Sequence, residues 1–309
     1  MNFCKKIMMF VLFGMMSVAF SACGDEAISP KETAAPEETI TKVLSNLEQV
    51  KSMQSIVKTQ SDMTTAGSDS NVSTETTVTT VYSPLNMKIE SKSSLSSNNV
   101  LVTYVDEVDG MATTYMEYAG QWMKQSLEPN IVLDSLRMYD TKQNAISFLK
   151  NASNWQMVSE QENVIELQGT LPADVLFTVV EDTKSLQVMG MAGLTEEYYK
   201  GVNDASVTVS VDKETLLPVS YCIDLSNTLE TLMNNVINTF GTGTEGNEPV
   251  KTIVNEYTLT VDCKDINQTK KVEIPKETIE SAIDFEKQIE SAGLSEIPKG
   301  ENGEELAVE

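Results

Sequence analysis

Between Gln54 and Leu127 the chain is rich in Thr, Val, Ser and Tyr and broken at short intervals by turn-forming residues. Side chains branched at Cβ fit a pleated, half-buried surface better than a helix. Ser83-Pro84-Leu85-Asn86, Ser96-Ser97-Asn98-Asn99, Asp109-Gly110 and Ala119-Gly120 divide the stretch into about six strands. Asp109-Gly110 is the sharpest of these signals, because a tight hairpin turn needs the positive φ that glycine accepts freely. Strands joined by such short turns pair antiparallel with their sequence neighbours. This stretch therefore commits the chain to a large antiparallel meander.

The flanking sequence has a different period. From Thr39 to Met53 the apolar positions Ile40, Val43, Leu44, Leu47 and Val50 recur at steps of three and four, predicting an amphipathic helix. Helical spacing returns from Ile131 to Leu149, and Trp155 to Gly169 reads as a strand. Pro172 opens a second helical stretch running unevenly to Lys200. Ala205–Asp212 and Pro218–Leu225 read as strands around a turn at Lys213-Glu214-Thr215, and Ser226 as the cap of a further helix. A polar loop, Gly241 to Glu248, leads to a strand over Thr252–Asp262. A last strand ends at Glu273-Ile274-Pro275, and Lys276–Ala292 reads as the closing helix. The fold class is α+β, a large antiparallel sheet with helices packed on one face.

The first residues read as an export signal. Lys5 and Lys6 precede a fourteen-residue apolar run from Ile7 to Phe20, whereas a membrane span needs about 20 apolar residues. Phe20-Ser21-Ala22-Cys23-Gly24 then resembles a lipobox, in which cleavage precedes a cysteine whose thiol takes a diacylglycerol. The domain reading is a signal peptide over residues 1–22, a flexible acidic tether over 23–38, one domain over 39–292 and an acidic disordered tail over 293–309. The expected location is the extracytoplasmic face of a cell membrane, Gram-positive, with Cys23 as the lipidation site. Loss of residues 1–22 leaves 20 basic and 46 acidic side chains, a formal charge of −26. A surface so acidic repels nucleic acid and anionic head groups, so neither is an expected partner.

The sequence contains no histidine, which removes Ser-His-Asp and Cys-His hydrolysis and the commonest zinc ligand. No Gly-rich phosphate loop is present, so neither cofactor nor metal is expected. The carboxylate pairs Asp106 with Asp109 and Glu196 with Glu197 sit in turn or solvent-facing contexts, unlike the apolar pocket that a glycosidase acid requires. Beyond the signal and Cys23, the cysteines are Cys222 and Cys263. In the strand around Cys222 the apolar residues Val219, Tyr221, Ile223 and Leu225 take the opposite parity, whereas Cys263 shares the parity of Ile253, Tyr257, Leu259 and Val261. Two free thiols follow, because a disulfide needs its Cβ atoms about 4 Å apart.

Four local patterns carry a family likeness over roughly Ile40 to Ile283. They are the early amphipathic helix; Tyr115-Met116-Glu117-Tyr118 followed by Gly120-Gln121-Trp122-Met123-Lys124; Val211-Asp212-Lys213-Glu214-Thr215-Leu216-Leu217-Pro218; and Val272-Glu273-Ile274-Pro275. Together with the element order they resemble the LolA/LppX-like lipoprotein-carrier superfamily, and within it the uncharacterised Gram-positive lipoproteins. The resemblance implies a curved sheet, a half-open barrel, with helices on a concave apolar side that holds acyl chains. It transfers no catalytic residue, and the arginine contact of the Gram-negative carriers has no counterpart to map here.

Methionine points the same way. Five of the 16 methionines fall within residues 1–22 and 11 beyond. Flexible thioethers suit a surface that repacks around varied apolar ligands, although they also fill ordinary cores. The candidate cavity residues are Met116, Met123, Trp122, Met189, Met191 and Met233, with Leu186–Leu194 as a mobile flap. The leading expectation is a non-catalytic lipoprotein that binds or carries an apolar or amphipathic, lipid-like ligand. The competing expectation is a cell-envelope protein-interaction module whose interior is filled by side chains.

Overall fold

The computed structural model describes residues 35–96, 100–118, 120–240, 250–285 and 287. The leader, Cys23, tether residues 23–34, the Gly241–Glu248 loop and the acidic tail lie outside the described residues, whereas Pro36–Glu38, expected to close the tether, form the first turn of a helix. In chain order, α1 (Pro36–Glu48) precedes the strands β1 (Ser52–Thr65), β2 (Ser68–Tyr82), β3 (Leu85–Ser93), β4 (Leu101–Val108), β5 (Met111–Tyr118) and β6 (Gln121–Leu127). Two helices follow, α2 (Pro129–Ser135) and α3 (Thr141–Asn151), then β7 (Ser153–Glu160) and β8 (Val164–Leu171). Next come α4 (Ala173–Thr183), β9 (Ala205–Asp212), β10 (Pro218–Asp224), α5 (Ser226–Phe240), β11 (Thr252–Lys264), α6 (Lys276–Ser281) and β12 (Ile283–Asp284). The strands form one sheet in the order β12-β6-β5-β4-β3-β2-β1-β11-β10-β9-β8-β7. β2 to β6 are an antiparallel meander and β7 to β10 a second antiparallel run, while β12 adds parallel to β6. This is the α+β layout expected, including the six strands between Ser52 and Leu127.

The chain divides into two compact units, with β1, β2 and β11 each supplying residues to both. In the unit containing residues 145–261, one face of β8, β9 and β10 is apolar. Leu167 and Leu171 on β8, Val207, Val209 and Val211 on β9, and Ile223 on β10 have no exposed surface. Helices cover that face. The Phe148 ring on α3 lies 6.4 Å from that of Tyr221 on β10. From β11, the Tyr257 hydroxyl donates to the Ser185 carbonyl just past α4, at 2.7 Å. The other face carries Glu166, Ser206, Thr208, Ser210 and Cys222, all half-buried. Period-two alternation with one covered face is the expected economy of an antiparallel sheet.

In the unit containing residues 73–144, Val78, Met87, Ile89, Val105, Ala112 and Met123 are buried, and their register places them on one face. The opposite face brings the Tyr104 ring to 6.0 Å from that of Trp122, so Trp122 packs across the meander. Arg137, the chain's single arginine, lies 3.9 Å from the buried Asp140. Asp140 starts α3: its carbonyl accepts the Asn144 N–H at 2.9 Å and its carboxylate that of Gln143 at 3.3 Å. Both bonds satisfy first-turn donors that would otherwise be unpaired.

Several expected elements differ from what forms. The first helix ends at Glu48; Val50 lies in the link that follows and Met53 in β1, both buried. The helical stretch from Ile131 is split by a 3-10 turn at Arg137–Tyr139, where Asp140 begins a new helix. Trp155–Gly169 is a hairpin rather than one strand, closed where the Gln161 N–H donates to the Val164 carbonyl at 2.8 Å. The helix after Pro172 stops at Thr183, because Lys184 is left-handed with φ 53°. Val219 and Ile253 are exposed, since β10 shifts register between Pro218 and Ser220 and β11 buries Val254 in place of Ile253. Residues 265–275 form no strand. The closing helix ends at Ser281, and Ile283–Asp284 pair with β6 instead. Cys222 and Cys263 form no disulfide, in keeping with their opposite parity.

Candidate ligand-binding site

The six cavity candidates fall into two groups. Met116, Trp122 and Met123 lie on β5 and β6 of the meander unit. Met189, Met191 and Met233 lie in the other unit. Met116 pairs directly with Met123, which places both on one sheet face, and Met123 is buried while Met116 is 44% exposed. Trp122 takes the opposite face, against Tyr104. Met189, Met191 and Met233 are all half-buried.

The segment bearing Met189 and Met191 is tied to α4 by a single carboxylate. Oε2 of Glu181 accepts the Gly193 N–H at 2.9 Å and lies 3.4 Å from Lys184 Nζ. Oε1 accepts the Tyr199 hydroxyl at 3.3 Å. Burial pushes the Tyr199 phenol well above the usual tyrosine range, and the Glu181 charge adds to the shift. Tyr199 thus stays a neutral donor at physiological pH. Asn235 of α5 holds the same turn from the other side, donating from Nδ2 to the carbonyls of Tyr198 at 2.7 Å and Lys200 at 3.0 Å.

These ties frame a cleft of about 530 Å³ between the start of α4 and the turn at Glu196–Tyr199. Its floor includes Phe177 and Tyr199, whose rings meet edge to face at 5.3 Å. Its rim includes Asp174, Glu196, Glu197 and Lys200, all exposed. Such a volume lies within the usual range for small-ligand sites. Neighbouring Tyr198 does not line it but stacks on Phe240 of α5 at 6.3 Å. Glu196 and Glu197 therefore edge an aromatic hollow, whereas Asp106 is held by Lys271 at 2.8 Å and by the Asn86 amide.

Phe177 is the lining residue that the sequence pattern passes over. The buried stripe of α4 runs through Leu176, Val179, Val180 and Thr183, and Phe177 sits beside that stripe, half-buried. A large apolar side chain flanking a complete stripe is the signal that marks it. Among the described residues no group of His, Cys, Asp and Glu is arranged to hold a metal ion. No helix among them is long and apolar enough to cross a membrane.

The family model of DUF6612, a family of unknown function, matches residues 35–283. The chain belongs to this family. No curated protein matches it. Among solved structures, this family member is similar to the lipoprotein LppX of Mycobacterium tuberculosis, with 13% identity and a TM-score of 0.42 over 77% of this chain and 97% of that one. It is also similar to LprF of Mycobacterium bovis, with 11% identity and a TM-score of 0.40 over 78% of this chain and 96% of that one.

Proposed function

We propose that the protein is a non-catalytic lipoprotein, anchored through Cys23 on the extracytoplasmic face of a Gram-positive membrane, that binds an amphipathic, lipid-like ligand. The observation that carries the ligand reading is the cleft itself: an aromatic floor of Phe177 and Tyr199 under a charged rim. A hollow with aromatic side chains beneath charged groups at its mouth suits a molecule that is itself apolar at one end and polar at the other. The paired lysines, the apolar run and the small residues before Cys23 support the anchor. Organic extraction of the purified protein should release acyl-chain compounds, and the emptied protein should bind a fluorescent fatty-acid analogue. A clean extract together with no analogue binding would remove the reading. Replacement of Cys23 by serine should release the protein from membranes, and an unmodified thiol there by mass spectrometry would remove the anchor.

The second reading, an envelope docking module with a filled interior, is favoured by one observation. Val207, Val209, Val211, Leu167, Leu229 and Leu232 expose no surface, so the covered sheet face of that unit is well filled. Specific capture of one envelope protein by a variant with the cleft blocked at Phe177 would favour it.

A further inference from the structure

We propose that the cleft beside α4 recognises an organic ammonium group attached to an apolar body, with Phe177 and Tyr199 beneath it and Asp174, Glu196 and Glu197 around it. The inference rests on reading this cleft as an amphipathic site and adds the chemistry of the polar end.

Charge is the first argument. Three carboxylates and one lysine edge the cleft, giving the rim a formal charge of −2. The whole chain carries −24, so the background field also concentrates cations and expels anions. A carboxylate, sulfate or phosphate head would approach three like charges with only Lys200 to offset them. Glu181, the nearby carboxylate at the end of α4, is already engaged by Tyr199, Lys184 and the Gly193 N–H. The rim carboxylates of Asp174, Glu196 and Glu197 are exposed, and Glu197 also accepts the Thr195 hydroxyl at 3.3 Å.

The floor is the second argument. Aromatic faces carry negative charge density and attract a cation lying within about 6 Å of the ring. Tyr199 is only 5% exposed and packs edge to face against Phe177, so the half-buried Phe177 ring supplies most of the aromatic surface in the hollow, with Tyr199 backing it. An alkylated ammonium suits that lining better than a bare metal ion. Its charge is spread over carbon-bound hydrogens, so it is weakly hydrated and can lie against rings while carboxylates balance it from the rim. A metal ion would instead need several oxygens converging at about 2.3 Å, and among the described residues no such group exists. An uncharged head can donate hydrogen bonds to the carboxylates but leaves their charge unbalanced.

Calorimetric titration of the full mature chain tests this with two probe sets. One is choline and its uncharged carbon isostere. The other is decyltrimethylammonium, decyl maltoside and decyl sulfate, each below its micelle concentration. Choline should bind saturably and its isostere roughly tenfold more weakly. Among the decyl compounds the ammonium should bind most tightly and the sulfate least. The double substitution Glu196→Gln/Glu197→Gln should weaken the ammonium probes about tenfold and decyl maltoside much less. Phe177→Leu keeps apolar bulk but removes a ring, and should weaken choline by a similar factor. Circular dichroism of both variants should match the parent. Equal affinity for all three decyl heads would overturn the ammonium inference while leaving the amphipathic reading intact. Choline binding with no gain from the decyl chain would uphold the inference and remove that reading. Binding of no probe, or ammonium binding indifferent to both variants, would overturn the site.

Discussion

Asn86 stands in for a strand against Val272: its Nδ2 donates to the Val272 carbonyl at 3.2 Å, and its Oδ1 accepts the Val272 N–H at 2.7 Å. Asn86 is only 1% exposed, so water has little access if the pair is broken. Asn86→Ala should cost about 2–3 kcal/mol, since three hydrogen bonds are lost, the third being the one to Asp106 at 3.1 Å, and backbone groups of residue 272 lose their partner. For a domain of this size that lowers the midpoint by roughly 4–12 °C. Thermal unfolding followed by circular dichroism measures it, and a shift below a degree would show that the pair contributes nothing.

The same pair explains where the sequence was legible and where it was not. Val272-Glu273-Ile274-Pro275 alternates like a strand, yet residues 265–275 form none. A side-chain amide supplies two of the hydrogen bonds that a ladder would have given, and no periodicity reveals a partner 186 residues away. The meander from Ser52 to Leu127 was readable because each turn is encoded locally, as Asp109 at φ 53° and Gly110 at φ 80° show. The turn at Ala66-Gly67 was not marked in advance, although Gly67 takes φ 78°. The cleft was not legible as a site: none of Met116, Trp122, Met123, Met189, Met191 and Met233 lines it, Glu196 and Glu197 read only as a solvent-facing pair, and Phe177 joins them through tertiary packing alone.

Gly169 of β8 has its missing Cβ occupied by an indole. A Cβ built there would lie 2.8 Å from Cδ2 of Trp155, closer than carbon atoms pack. Trp155 is buried, so its ring has little room to yield. Gly169→Ala should destabilise by about 1–3 kcal/mol through overpacking, despite the intrinsic advantage of alanine over glycine in a strand. The chain has two tryptophans, so a Trp122→Phe background assigns the fluorescence to Trp155. A changed emission maximum with a lowered denaturation midpoint is the expected pair of results. An unchanged spectrum and midpoint would mean that the ring moves aside at no cost.

Lys142 holds its ammonium 3.8 Å from the centre of the Tyr82 ring and donates to the Val50 carbonyl at 3.3 Å. Burial lowers the affinity of this amine for its proton, and the neighbouring Asp140 charge opposes that shift. Burial likewise raises the Asp140 carboxyl, against the Gln143 N–H, the Arg137 and Lys142 charges and the Tyr82 hydroxyl. Removing the ring and removing only its hydroxyl should therefore differ. Tyr82→Leu should cost about 1–2 kcal/mol more than Tyr82→Phe, the excess being the cation–ring contact in a buried setting. A double-mutant cycle with Lys142→Met, read by denaturant unfolding, isolates it. No coupling between the two positions would show that their proximity is incidental.

Cys263 near the end of β11 gives the pH prediction. Burial, with the Asp262 charge added to it, pushes its thiol up to about 12 from an ordinary value of 9.0. Between those values the unfolded chain has released the proton and the folded chain has kept it. Folding therefore binds a proton in this window, and stability falls as pH rises from about 9 towards 12. Below about 9 the thiol is protonated in both states and contributes no pH dependence. The same retention starves the folded protein of the reactive thiolate. With Cys222 replaced by serine, a disulfide reagent near pH 8 should modify Cys263 only slowly in the folded protein and rapidly in denaturant. Replacing Cys263 by serine should flatten the alkaline loss of stability relative to the parent. Fast modification of the folded protein, or an alkaline slope that survives the substitution, would place the proton on another group.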